Sequence, residues 1–199
     1  LAIPGVIKVR ADWTAPAGTP LVRLVVLTES GSQPALNKVR DTLKTYNRCR
    51  GAARFPIQCV AGNLHYISLQ IRAAYAANRR PQDIEAAIGA ALGVITADDA
   101  DNDEGLFSLA QRRFGQNVHI SQVIGAIQQV DGVQWVEVDA LQGLDMGSPI
   151  ETDPEQLSVP TVLQRKPLVQ CDATRVLALH EQHFSVNLIL DESKRECEA

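Results

Sequence analysis

The chain has 199 residues, 45% hydrophobic and 21% charged, with a formal net charge of -4. That length allows one large domain or two small ones with a real apolar core. The balance excludes a nucleic-acid binder held by bulk positive charge, a disordered acidic tail and a collagen-like or low-complexity chain. The most apolar uncharged run, Ala86 to Ala97, has 12 residues, short of the ~20 that a membrane-spanning helix needs.

In chain order, Val6 to Trp13 alternates, with Ile7, Val9, Ala11 and Trp13 on one face and Val6, Lys8, Arg10 and Asp12 on the other. This predicts a half-buried strand with the apolar set inward. After the Pro16–Pro20 turn, Leu21 to Leu27 reads as a more deeply buried strand. Ser30-Gly31-Ser32 is a candidate N-cap for a helix carrying Leu36, Val39, Leu43 and Tyr46 on one stripe. A short strand over Phe55–Val60 is expected to pair with the first two.

Residues 64 to 76 carry the strongest strand signal, with Ile67, Leu69, Ile71, Ala73 and Tyr75 facing one way. Pro81 opens a second helix with the stripe Ile84, Ile88, Leu92 and Ile95. An acidic loop, Asp98 to Gly105, follows. A third helix starts near Ser121, buries Val123, Ile124, Ile127 and Val130, and ends at Asp131-Gly132. Val133 to Leu141 is a strand with Val136, Val138 and Ala140 inward.

From Met146 to Pro167 the periodicity fades, and Pro149, Pro154, Pro160 and Pro167 fall there, so an extended connection is expected. RVLAL and FSVNLIL read as two short strands around a His180-Glu181-Gln182-His183 turn, followed by a frayed tail from Asp191. Ile3-Pro4-Gly5-Val6 and Val130-Asp131-Gly132-Val133 form a weak repeat, a turn pair leading a valine into a strand. The second copy follows a helix, so by analogy a helix is expected upstream of Leu1, where the first residue is also not Met. The expected fold class is α+β. Residues 1–62 and 64–141 should form two small units with helices on mainly antiparallel sheets, and 146–199 a proline-rich connection with a terminal strand pair.

The residues assign no catalytic, cofactor-binding or metal site. Asp98, Asp99, Asp101, Asp103 and Glu104 suggest calcium. An EF-hand loop starting at Asp99 would need glycine and glutamate where Glu104 and Ala110 stand. His180 and His183 are three apart rather than the four of a zinc helix. His65 and His119 stand alone. Cys49, Cys59, Cys171 and Cys197 match no zinc or redox spacing and are expected to be free thiols of a reducing compartment. No phosphate-binding glycine motif or GxSxG is present. Arg79-Arg80 and Arg112-Arg113 are small basic pairs without the interleaved aromatics of a nucleic-acid surface. Trp13 and Trp135, the only tryptophans, fit either a core or a subunit interface.

One run is distinctive: Phe114-Gly115-Gln116-Asn117-Val118-His119-Ile120-Ser121-Gln122-Val123, then IGAIQQVDGV and a strand ending Val138-Asp139-Ala140-Leu141. With AIPGVIKVRADW at the start and RVLALHEQHFSVNLIL near the end, it resembles the C-terminal part of the phage baseplate assembly protein J-like family. The chain departs from that pattern in its acidic loop and at Asp131, where proline is more usual. The resemblance implies a structural, non-enzymatic role: a baseplate wedge component of a contractile tail or injection particle. It also implies wedge and hub proteins as partners, homo-oligomer contacts, no nucleic acid and no membrane span. Assembly would take place in the cytoplasm before the chain becomes part of the particle. The alternative function is a small-ligand- or metal-binding regulatory α+β module.

Overall fold

The computed structural model of the chain describes residues 3–29, 33–51, 56–96, 104–144, 157, 160 and 162–191. The architecture is α+β, and the chain divides into two compact units, Leu1–Asn63 and Leu64–Ala199.

The first unit holds β1 (Val6–Thr14), β2 (Leu21–Thr28), α1 (Gln33–Arg48) and β3 (Ile57–Ala61). Its sheet has the order β1-β2-β3. β1 runs antiparallel to β2 with a bulge between Val6 and Lys8, and β3 runs parallel to β2. β3 therefore pairs with β2 alone, not with both preceding strands as expected. The reason is α1: a parallel return needs a crossover, and α1 supplies it. Leu36 and Val39 of α1 pack on Val26, with Leu24, Cys59 and Ala61 around them.

That placement reverses the expectation for β1. Ile7, Val9 and Trp13 are exposed, and the Lys8, Arg10 and Asp12 side is half-buried. Alternation identifies which residues share a face, but α1 covers the face over β2 and β3 and leaves its β1 margin open. Tyr46, expected on the buried stripe of α1, is likewise exposed in its last turn. The candidate cap 30–32 and Phe55 lie outside the described residues.

The second unit holds β4 (from Asn63 to Ala76), α2 (Pro81–Leu92), β5 (Val118–His119), α3 (Ile120–Gln128), β6 (Val133–Gly143), β7 (Leu168–Val169) and β8 (Arg175–Asp191). Its main sheet has the order β6-β4-β8, and β5 pairs with β7. Alternation along β4 sends Ile67, Leu69, Ile71 and Ala73 into one core with Ile84, Ile88 and Leu92 of α2 and Val123 and Ile127 of α3. Each fully buried aliphatic of this kind contributes about 1.5–3 kcal/mol relative to exposure. Tyr66, Leu144 and Ala178 form a second, smaller cluster.

Local chemistry sets the ends of these elements. Pro81 starts α2, and Gly93 ends it in the left-handed region at φ 68°. The Gln122 side-chain oxygen accepts the His119 N–H at 3.0 Å where α3 begins. The two repeat turns share a backbone device, since Gly5 (φ 80°) and Gly132 (φ 97°) both take positive φ just before a strand.

The end of the chain differs from expectation in one respect. β8 is one strand of 17 residues rather than two strands around a turn. The polar His180–His183 run stays extended because Ile95 pairs beside it. The Ile95 N–H reaches Leu179 O at 2.8 Å and the Glu181 N–H reaches Ile95 O at 3.1 Å. The last part of the connection packs back on the second unit: Leu141 N–H donates to Gln164 O and Lys166 N–H to Leu141 O, both at 3.0 Å. Residues 145–156 of the connection lie outside the described residues.

Candidate interaction surface

The most distinctive surface feature is apolar. On β1, Ile7 is 43% exposed, Val9 52% and Trp13 65%. Trp13 stands opposite Val22, which stands opposite Ile57, so an apolar row crosses all three strands of the first sheet. Trp135 is exposed on β6, and Ile189 and Leu190 on β8, the two outer strands of the second main sheet. Single exposed apolar side chains are ordinary, but tryptophan and aliphatics repeated along outer strands are what contact surfaces use.

The conspicuous Phe114–Asn117 run acts as a clasp on the segment 167–175. The Gly115 N–H donates to Arg175 O at 2.9 Å, and the Ile120 N–H to Pro167 O at 3.0 Å. Asn117 Oδ1 accepts the Cys171 N–H at 2.8 Å. Between these bonds Val118 pairs with Val169 and His119 with Leu168. Phe114 and Val118 are buried beneath.

Behind the clasp lies Arg112, 1% exposed. One of its nitrogens, Nη2, donates to Gln116 O at 2.6 Å and Asn117 O at 3.0 Å, fixing the loop from within. The guanidinium also lies 5.7 Å from the centre of the Phe107 ring. Its Nε and Nη1 have no hydrogen-bond partner among the described residues. Burial lowers the Arg112 pKa from its ordinary value, and the nearby Cys171 opposes that shift. Burial raises the Cys171 thiol, against the Gly115 N–H and the Arg112 charge, while its Sγ donates to Arg175 O at 3.2 Å. Chemically this is a positioning device that sets the 112–117 loop. The distinctive run carries a sequence signal for the loop, but the Arg112-Arg113 pair does not itself show that one of its members is enclosed.

The remaining candidates fall as follows. His180 and His183 are both buried in β8, with ring centroids 6.3 Å apart and both packed near Tyr66. Among the described residues no group of three His, Cys, Asp or Glu is placed to hold a metal. Residues 97–103, most of the acidic loop, lie outside the described residues, as does Cys197; Cys49, Cys59 and Cys171 are free thiols. Arg79 pairs with Asp131 across the turn before β6. Arg72 of β4, its side chain 40% exposed, grips Asp139 at 2.8 Å and Glu137 at 3.0 Å on β6. A cleft of about 310 Å³ between α2 and α3 is lined by Ala90, Ala91, Ala126 and Val130, with Glu104 and Gln129 at its polar side. No helix among the described residues is long and apolar enough to cross a membrane.

No protein-family model matches the chain, and no curated protein matches it.

Proposed function

We propose that this chain is a structural component of the baseplate wedge of a contractile phage tail or a related injection particle, acting through subunit contacts. The observation that carries the reading is the exposed apolar stripe of Ile7, Val9 and Trp13 on an outer strand. A scaffold subunit needs surfaces of this kind and no reaction centre. The Phe114–Val123 run supports it from the sequence side, since it carries the resemblance to baseplate proteins, and its clasp keeps the terminal segment in place on the second unit. In this role the partners are other wedge and hub proteins, and the chain is incorporated as the particle is built.

The test is affinity purification of the tagged full-length protein from its native host, followed by mass spectrometry. Recovery of sheath, tube and spike proteins in fixed ratio is the expected result. Recovery of the chain alone, or with metabolic enzymes, rejects the proposal.

A further inference from the structure

We propose that the Asp131-Gly132 bond is a site of spontaneous isomerisation, at which aspartate closes to a succinimide and reopens to isoaspartate, and that the Arg79 ion pair sets its rate.

The sequence supplies the reactive pair once. Asp131-Gly132 is the only place in the chain where glycine follows aspartate or asparagine. Glycine has no Cβ, so its amide nitrogen is the least hindered nucleophile that a preceding carboxyl can meet. The matching turn of the repeat has Pro4 before Gly5 and therefore no carboxyl to react. The structure adds exposure and an unengaged nitrogen. The Asp131 side chain is 84% exposed, so water reaches it. The Gly132 N–H has no hydrogen-bond partner among the described residues, so no acceptor in the fold competes for its proton as the nitrogen attacks.

The step balances with water alone. The Gly132 nitrogen bonds to Cγ of the Asp131 carboxyl, the nitrogen's proton and the carboxyl's hydroxyl leave as water, and the succinimide ring closes. Water then adds to the main-chain carbonyl carbon of Asp131 and breaks its bond to Gly132, so the chain continues through the side chain. Addition at Cγ instead restores aspartate. No oxidant or reductant takes part.

Arg79 stands against the closure. Its Nη2 pairs with Asp131 Oδ2, which draws the carboxylate to the guanidinium and restrains its swing toward the nitrogen. An ion pair this exposed holds a carboxylate only part of the time, so it slows the reaction without preventing it. The fold then makes the product matter. Isoaspartate adds a methylene to the main chain between α3 and β6, where there is no slack. The Gly132 carbonyl accepts the Ala76 N–H at 2.9 Å, and Val133 stands opposite Tyr75. A Cβ on Gly132 would meet Ile84 Cδ1 of α2 at 2.8 Å. The entry of β6 into its sheet therefore loosens in the isomerised chain. None of this depends on the particle the chain belongs to, so its failure and that of the baseplate reading are separable.

The experiment is peptide mapping by liquid chromatography and mass spectrometry on the full chain, aged for weeks in heavy-oxygen water at neutral pH and physiological temperature, with far-UV circular dichroism as the check on folding. The wild-type peptide spanning Asp131-Gly132 should split into two species, the new one giving isoaspartyl fragments and carrying one heavy oxygen. Asp131→Glu keeps the charge on a longer side chain that closes its ring far more slowly, and should give one species. Arg79→Gln keeps the stem without the ion pair and should raise the rate severalfold. Should that variant fail to fold, molar salt on the wild type, which screens the exposed pair, carries the same test. Amide exchange at Ala76 should be faster in the aged sample than in a fresh one. A wild-type peptide that stays single overturns the proposal, as does a rate indifferent to loss of the ion pair; unchanged exchange at Ala76 overturns its consequence for β6.

Discussion

Gly105 lies against Gly93 so closely that a Cβ on Gly105 would come within 2.3 Å of the Gly93 backbone nitrogen. Both glycines hold positive φ, 104° and 68°, and the contact holds Gly105 against the C-terminal end of α2. The Leu106 and Phe107 N–H groups then bond to Ala91 O and Leu92 O. Gly105→Ala should therefore cost about 3 kcal/mol or more, since neither backbone can yield and the conformation itself is strained for alanine. Thermal unfolding checks this; a melting point within a degree or two of wild type would show that the crossing is looser than described.

The clasp makes a separate prediction. Asn117→Ala removes the acceptor of the Cys171 N–H, which should cost about 1–2 kcal/mol. Hydrogen exchange resolved by peptide should speed up at 168–175 while the Ile67–Ala73 core stays protected. Uniform acceleration across the unit would mean that Asn117 has no local role.

Cys171 should show its burial chemically. Burial raises its pKa above the ordinary thiol range of about 8.5, so it stays protonated near neutral pH and should react with a thiol reagent far more slowly than the exposed Cys49. The linkage has a definite sign. A group whose folded pKa is raised contributes stability that is complete below the unfolded value and lost as pH rises through the folded one. Wild-type stability should thus fall above about pH 8.5 more steeply than that of Cys171→Ala. Equal slopes would remove the thiol from the account.

Trp13→Ser should change the unfolding free energy by no more than about 0.5 kcal/mol when measured dilute, because the side chain is 65% exposed. A loss of several kcal/mol would place Trp13 in a core after all.

The main second-unit elements were legible because their patterns are local. Alternation from Ile67 to Ala73 and the 3.6-residue recurrence of Ile84, Ile88 and Leu92 each specify an element and its buried face. β1 was legible as a strand but not as to which face is covered, since that depends on where α1 lies, a non-local fact. The continuity of β8 is not legible, because the polar His180–His183 run looks like a turn unless Ile95, distant in sequence, pairs alongside. The enclosure of Arg112 is not legible for a related reason: nothing next to it in sequence tells that a guanidinium will be enclosed by the loop it organises.

The measurement that bears most directly on the scaffold role is electron microscopy of particles from the native host carrying Trp13→Arg, with the chain's level checked by immunoblot. A charge in the exposed stripe leaves the subunit folded and present but should abolish complete baseplates and sheathed tails. Normal particles at normal yield would contradict the account.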